Sequence, residues 1–334
     1  MKAVVYHLAT NAQEQSGFKD VELAQPEAKG RDLLIEVKAV SVNPVDYKVK
    51  NRLKQANQQD RVLGWDAAGI VKEVGSEVCL FKPGDEVWYA GDITRDGSNS
   101  EYQLVDERIV GHKPKTISFE QAAALPLTGI TAWELVFDSL ALPKDEPLNV
   151  LVIGAAGGVG SILLQILKTL TKCHVIASFG REESKQWLLS LGADLTLNHR
   201  QNIQAQLNDN KIKAVDAIIS LTHTQDYIEQ YAEIIAPRGK IAFIDDPQNF
   251  HVMAFKSKSV SIHSEFMFTR PTYQTEDMQK HHDILNTLAE LVDKKIIQST
   301  AANHFGTINA NNLSRAHELI ESGKSVGKCV LSSF

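Results

Sequence analysis

Over the first third of the chain, apolar positions fall in short alternating runs broken at brief intervals by turn residues. Ala3–Tyr6, Leu33–Val40, Gly69–Val74, Glu86–Tyr89 and Tyr102–Val105 have the length and residue types of strands. Gly84-Asp85, Gly91-Asp92 and Asp96-Gly97-Ser98-Asn99 supply the breaks. This rhythm predicts an antiparallel, barrel-like lobe.

From about Gln121 the pattern changes to strand alternating with helix. Asn149–Ile153 predicts a buried strand, and Val159, Ile162, Leu163, Ile166, Leu167 and Leu170 follow at helical spacing. Further strands are predicted at His174–Ser178, Leu195–Leu197, Val215–Leu221 and Lys240–Ile244. The helices between them include Glu182–Leu191 and Gln225–Ile235, the latter stopped by Pro237 and Gly239. Such alternation implies a parallel, doubly wound sheet. Beyond Arg270-Pro271 come an amphipathic helix (Met278, His281, Ile284, Leu285, Leu288, Leu291, Val292), a shorter helix closed by Gly323, and a last strand, Lys328–Leu331. Two helices and one strand cannot make a sheet of their own, so this tail is expected to rejoin the first lobe.

A length of 334 residues suits two domains of about 100–200 residues each. The expected division is a discontinuous domain of residues 1–122 and 268–334, with a nucleotide-binding domain of residues 123–267 inserted in it. A net charge of −6 argues against nucleic acid, whose phosphates call for surplus Lys and Arg. No apolar run approaches the roughly 20 residues of a membrane span. Met1–Tyr6 is followed at once by His7 and polar residues, unlike a signal peptide. Cys79, Cys173 and Cys329 are an odd number and widely spaced, which predicts buried thiols in a reducing compartment, the cytoplasm.

The strongest local signal is the turn Ala155-Ala156-Gly157-Gly158-Val159-Gly160 between a strand and a helix. Such a turn aims free backbone N–H groups, and the helix dipole, at a pyrophosphate. Ala156, Gly157, Gly158 and Val159 are the predicted contacts, and Gly160 allows helix and strand to pack. Ala155 stands where the usual first glycine would be. An NAD site places an acid roughly 20 residues further on, at the end of the next strand. Here that stretch reads Ser178-Phe179-Gly180-Arg181, with Phe179 where the acid would be. Ser178 and Arg181 suit a 2′-phosphate, and Arg200 and Lys185 are further candidates, so NADPH is the expected cofactor. Glu182 and Glu183 leave NAD as an alternative, although acids in a helix's first turn also serve its dipole.

Several motifs together resemble the medium-chain dehydrogenase/reductase superfamily over nearly the whole chain. They include Ser41-Val42-Asn43-Pro44-Val45-Asp46, Gly64-Trp65-Asp66-Ala67-Ala68-Gly69, Pro83-Gly84-Asp85-Glu86-Val87 and Ala124-Leu125-Pro126-Leu127-Thr128-Gly129. The glycine turn, Leu191-Gly192-Ala193-Asp194 and the closing Gly327-Lys328 fit as well. The chain looks most like the zinc-independent quinone oxidoreductase branch, and within it a group called zinc-type alcohol dehydrogenase-like. The resemblance implies a Rossmann sheet inserted in a GroES-like, mainly antiparallel β barrel-like catalytic domain. It gives the zinc-ligand positions to Asn43, Trp65 and Thr128, with Asp66 at the neighbouring glutamate, and none of the three is a usual zinc ligand. No metal is therefore expected. His281-His282 is a weak candidate too, because adjacent helical side chains do not face each other.

Without a Lewis acid, the accessible chemistry is hydride transfer to acceptors whose conjugation spreads negative charge: quinones or α,β-unsaturated carbonyls. By resemblance, Asn43 lies at the floor of the cleft near the nicotinamide and Tyr47 one turn on, facing substrate. Tyr47 can donate a proton, or simply pack on the cofactor; Asn43 can act in the site, or open the turn before Pro44. Thr128 is expected at the nicotinamide half, and Phe266-Met267-Phe268 beside the nicotinamide ring. Trp65 and Phe268 are candidate cleft walls, or ordinary core. The resemblance further implies a homodimer through the sheet edge Ser259–His263. Two other readings stay open: a non-enzymatic dinucleotide-binding sensor or structural protein, and a zinc-dependent alcohol dehydrogenase, which the missing ligands disfavour.

Overall fold

The strand at the chain's end, Lys328–Ser332, pairs antiparallel with Asp32–Val42 near its beginning, Cys329 opposite Val42 and Leu331 opposite Val40. The tail thus rejoins the first lobe. The computed structural model describes residues 1–9, 16–56 and 60–334. It divides into two units: Met1–Ile130 with Phe268–Phe334, and Thr131–Met267.

In the first unit the strands up to the insertion are β1 (Lys2–His7), β2 (Gly17–Glu22), β3 (Asp32–Val42), β4 (Arg61–Val62), β5 (Ala67–Val74), β6 (Glu86–Tyr89), β7 (Tyr102–Asp106) and β8 (Val110–His112). Helices α1 (Pro44–Ala56), α2 (Phe119–Ala123) and α3 (Pro126–Trp133) follow β3 and β8. The second unit carries β9 (Asn149–Ile153), α4 (Gly158–Leu170), β10 (His174–Phe179), α5 (Glu182–Ser190), β11 (Leu195–Asn198), α6 (Ile203–Asp209), β12 (Val215–Ser220), α7 (Ile228–Ile234), β13 (Ile235–Phe243) and β14 (Ser261–Ser264). The tail adds α8 (Thr269–Tyr273), α9 (Lys280–Asp293), β15 (Ala301–His304), α10 (Ala310–Glu321) and β16 (Lys328–Ser332).

β3 is the axis of the first unit. It pairs along one edge with β7 at Asp32–Glu36 and then β16 at Ala39–Val42, and along the other with β5. Its faces are covered too: Leu33, Leu34 and Ile35 are successive apolar residues at 0% exposure. The main path of this sheet is β15-β16-β3-β5-β6-β8, and β2-β1-β4 form a smaller antiparallel sheet.

The second unit is a parallel sheet ordered β11-β10-β9-β12-β13-β14, with the chain reversing direction across the sheet after β11. Ligands of such sheets bind outside the strand C-termini at that switch point, here the ends of β9, β10 and β12. Several element boundaries differ from the pattern reading, among them the strand expected at Lys240–Ile244, which begins at Ile235. The helix expected over Gln225–Ile235 begins as a 3-10 turn, Thr224–Tyr227, and only Ile228–Ile234 is α-helical. The edge strand begins at Ser261, not Ser259, because Ser259 adopts a left-handed backbone (φ 51°) that no ladder accommodates. Among the described residues, no helix is long and apolar enough to cross a membrane.

Candidate active site

Helix α1 starts where its sequence says it should. Pro44 takes the first helical position, where its missing N–H is no loss. Asp46, two residues on, turns its Oδ2 back to accept the N–H of Asn43 at 2.6 Å. That leaves the Asn43 side chain for other partners. Its Nδ2 donates to Ser41 O at 3.3 Å and to Asp66 Oδ2 at 3.1 Å. Asp66 lies just before β5, and its other oxygen, Oδ1, accepts the N–H of Leu127 at 3.1 Å.

The centre of this arrangement is a lysine. Lys328 opens β16, and its ammonium donates to Asp66 Oδ2 at 2.9 Å, to Val42 O at 3.2 Å, and to Asn43 Oδ1. The side chains of Lys328 and Asp66 are 3% and 0% exposed. Burial raises the carboxyl of Asp66 above the usual range, and Lys328, the Leu127 N–H and Asn43 partly offset it. Asp46, equally buried, is pushed up to about 7, chiefly by desolvation; the Asn43 N–H and Lys328 oppose the shift. Its Oδ1 has no hydrogen-bond partner among the described residues. The site is therefore a buried cluster of two carboxyls, one amide and one fixed ammonium.

Among the other candidates in this unit, Tyr47 is half-buried on α1. Trp65 is fully buried, with its indole N–H bonded to Asp92 O at 3.1 Å, which places it in the core. Thr128 is buried in α3, and its hydroxyl back-bonds to Leu125 O at 3.2 Å. Phe268 is buried as well.

In the second unit, the glycine turn joins β9 to α4. Gly154 carries the left-handed backbone (φ 76°) that makes the turn, one residue before the position where the pattern reading missed a glycine. A Cβ on Gly160 would lie 2.2 Å from Ala155 O, so only glycine lets α4 sit against the turn. A Cβ on Gly157 would meet only Gly154 O, at 3.5 Å: the protein leaves that side open. Ala155 and Gly160 are buried, whereas Ala156 to Val159 are half-exposed at the head of a helix with no side-chain cap. The Gly157 N–H closes the turn on Gly154 O at 3.2 Å, and the N–H groups at the head of the helix suit an anion such as a pyrophosphate.

Ser178, next to last in β10, lies beside this turn, its Oγ accepting the N–H of Gly154 at 3.2 Å. Arg181 is the exposed residue that begins α5, and Arg200 is exposed just past β11. Met267 is buried and Phe266 is 49% exposed at the end of this unit. His199, between Asn198 and Arg200, was not a candidate from sequence. Its N–H bonds to Phe179 O at 3.0 Å, which sets its ring over Gly180.

Comparison with known proteins agrees with this architecture. Residues 29–126 match the alcohol dehydrogenase GroES-like domain, and residues 191–331 match the zinc-binding dehydrogenase model. A zinc-type alcohol dehydrogenase-like protein of Staphylococcus epidermidis is 38% identical, the match spanning 99% of each chain. The chain belongs to the medium-chain dehydrogenase/reductase superfamily. A superfamily structure described as a putative zinc-dependent alcohol dehydrogenase protein from Rhizobium etli CFN 42 superposes with a TM-score of 0.95 at 47% identity, covering 100% of this chain and 98% of that one. The quinone oxidoreductase from Coxiella burnetii superposes with a TM-score of 0.81 at 26% identity, covering 100% and 99%. This member is thus an oxidoreductase of the kind that binds a nicotinamide dinucleotide.

Superfamily names that speak of zinc make the donor set a test. Zinc takes thiolate, imidazole or carboxylate ligands. Trp65 offers only an N–H donor, and it is bonded. The carbonyl oxygen of Asn43 receives Lys328, and both oxygens of Asp66 hold protein donors. Among the described residues, no group of three or more His, Cys, Asp or Glu is placed to hold a metal ion. The residues present do not fit zinc. Lys328 and Asp46 stand within sequence motifs and Gly154 just before one, yet only their contacts reveal their roles. The one legible hint for Lys328 was a lysine heading an otherwise apolar strand.

Proposed function

We propose that this protein is an NADPH-dependent reductase of quinones and small α,β-unsaturated carbonyls that works without catalytic zinc. The observation that carries this reading is the Lys328 ammonium seated on Asn43 and Asp66, among the positions that zinc relatives give to metal ligation. A protein cation there supplies charge and order but no open coordination position, so it cannot bind and polarise a simple alcohol as a metal does. The bound nicotinamide supplies the hydride; the chain's residues hold the acceptor, exclude water and move a proton. Conjugated acceptors suit such a site because they spread the negative charge themselves.

Tyr47 is the proton donor in this reading, half-buried on the helix that Asn43, Pro44 and Asp46 anchor. A donor at the developing oxyanion contributes about 3–4 kcal/mol. The cofactor preference rests on Ser178, Arg181 and Arg200 near the end of β10, and on Phe179 in place of the acid that would hold a ribose 2′-hydroxyl. Tyr47 brings no charge of its own, and the Lys328 ammonium is taken up by Asn43 and Asp66, which suits neutral, flat acceptors. The free edge of β14 pairs only with β13 in the described fold, and it is the surface on which we place a homodimer contact.

The deciding experiment is a panel of quinones, enones, saturated aldehydes and secondary alcohols, each with NADPH and NADH in the presence of a chelator. Turnover of quinones or enones with NADPH is expected. Alcohol oxidation abolished by the chelator would overturn the zinc-free reading, and silence on every acceptor would overturn the enzymatic one.

A further inference from the structure

At the C-terminal edge of the second unit's sheet, one histidine stands in an unusual setting. β10 and β11 run side by side, Phe179 opposite Asn198, so the residues just beyond them come together at the C-terminal edge of the sheet. His199 lies against Gly180 so closely that a Cβ there would meet His199 Nε2 at 2.7 Å and Arg200 Nε at 3.5 Å. The bare glycine is what allows the imidazole and the guanidinium to share this spot. The other ring nitrogen, Nδ1, is buried and has no hydrogen-bond partner among the described residues.

The charges around the ring are mostly of one sign. Arg200 follows it in sequence, and His223 reaches it from the loop after β12; both disfavour a proton on His199, and burial disfavours it more. Arg181 begins α5 on the neighbouring connection, where Lys185 pairs with Glu182 at 3.4 Å and Glu183 completes the first turn. A neutral imidazole crowded by cations gains a proton when a dianion arrives, because the anion reverses the local potential.

We propose that His199 is a specificity residue for the adenosine 2′-phosphate and binds it as the imidazolium, so that NADPH takes up a proton on binding and NADH does not. This rests on the NADPH reading and adds a regulation to it: preference for the phosphorylated cofactor rises as pH falls. The 2′-phosphate contributes in the opposite sense, since it gains its second charge near about pH 6. The histidine's part is therefore read against a variant that keeps the phosphate and loses the titration.

The test uses the full-length protein and the half-ligands 2′,5′-ADP and 5′-AMP, with NADPH and NADH alongside, titrated between pH 6 and 8. The wild-type preference for 2′,5′-ADP over 5′-AMP should fall more steeply with pH than that of His199→Gln, by up to about tenfold per pH unit. Calorimetry in two buffers of different ionisation enthalpy should show that wild type takes up more protons with 2′,5′-ADP than His199→Gln does, by up to about one, with no such difference for 5′-AMP. Unchanged 5′-AMP and NADH binding by His199→Gln shows that the variant is folded. If wild type prefers NADPH but the two pH profiles and the two proton uptakes coincide, the histidine proposal fails while the cofactor reading stands. If wild type binds NADH as well as NADPH at every pH, the cofactor reading itself fails.

Discussion

The ammonium of Lys328 lies 2.9 Å from Asp66 Oδ2, with both side chains almost wholly inside the fold. A buried pair of this kind adds little over an apolar pair, yet losing one partner strands the other as an unpaired charge. Lys328→Met is therefore expected to destabilise the protein by about 3–5 kcal/mol. Adding Asp66→Leu should restore part of that loss instead of adding to it. Urea unfolding followed on Trp65 and Trp88, both fully buried in the same unit, measures this directly. Strictly additive losses would mean that the pair is not coupled.

Arg181 should govern the choice of cofactor. Removing one charge-assisted contact to a 2′-phosphate costs about 1.5–3 kcal/mol. Arg181→Ala is therefore expected to raise the KM for NADPH by roughly tenfold or more, while the KM for NADH hardly moves. Equal effects on the two would place Arg181 away from the phosphate.

Tyr47→Phe should separate the two substrate classes. An enone leaves an enolate that must be protonated, so kcat on enones should fall by about 10²-fold or more. Quinone reduction should suffer less, since its product oxyanion is stable enough to wait for solvent. Steady-state rates on one enone and one quinone are enough, and a uniform loss on both would reduce Tyr47 to a packing role.

His317 predicts an acid-sensitive fold. It is 2% exposed on α10, and neither ring nitrogen has a hydrogen-bond partner among the described residues. Burial, with Lys50 nearby, lowers its pKa to about 3. The native ring is neutral, whereas the unfolded chain takes up a proton near 6.5, the ordinary value. Between these two values the unfolded state binds more protons, so the contribution is fully present above about pH 6.5 and is lost as pH falls toward 3. The drop in Tm from pH 7.5 to pH 5 should shrink in His317→Leu; an unchanged drop would assign the acid lability elsewhere.

How far the sequence reached differs between the two units. The alternation of β9, α4 and β10 and the glycine turn are local features, fixed by residues within a few positions of one another. They were legible as an ordered series, except that Gly154, one residue before the expected glycine, makes the turn. Boundaries blurred where the backbone departs from regular geometry, as at Ser259 and in the 3-10 turn before α7.

The sequence by itself determined the two alternating patterns, the glycine turn and the absence of the usual metal-ligating residue types at Asn43, Trp65 and Thr128. What the tertiary structure alone decided is what stands there instead. Lys328 is 285 residues from Asn43 and 262 from Asp66, and read along the chain it is a lysine at a strand's edge. The pairing of β16 with β3 carries that lysine beside Val42 and Asn43, where β3 gives way to α1. Only a contact between the two ends of the chain could turn a charge that looks solvated into one sealed against a carboxylate.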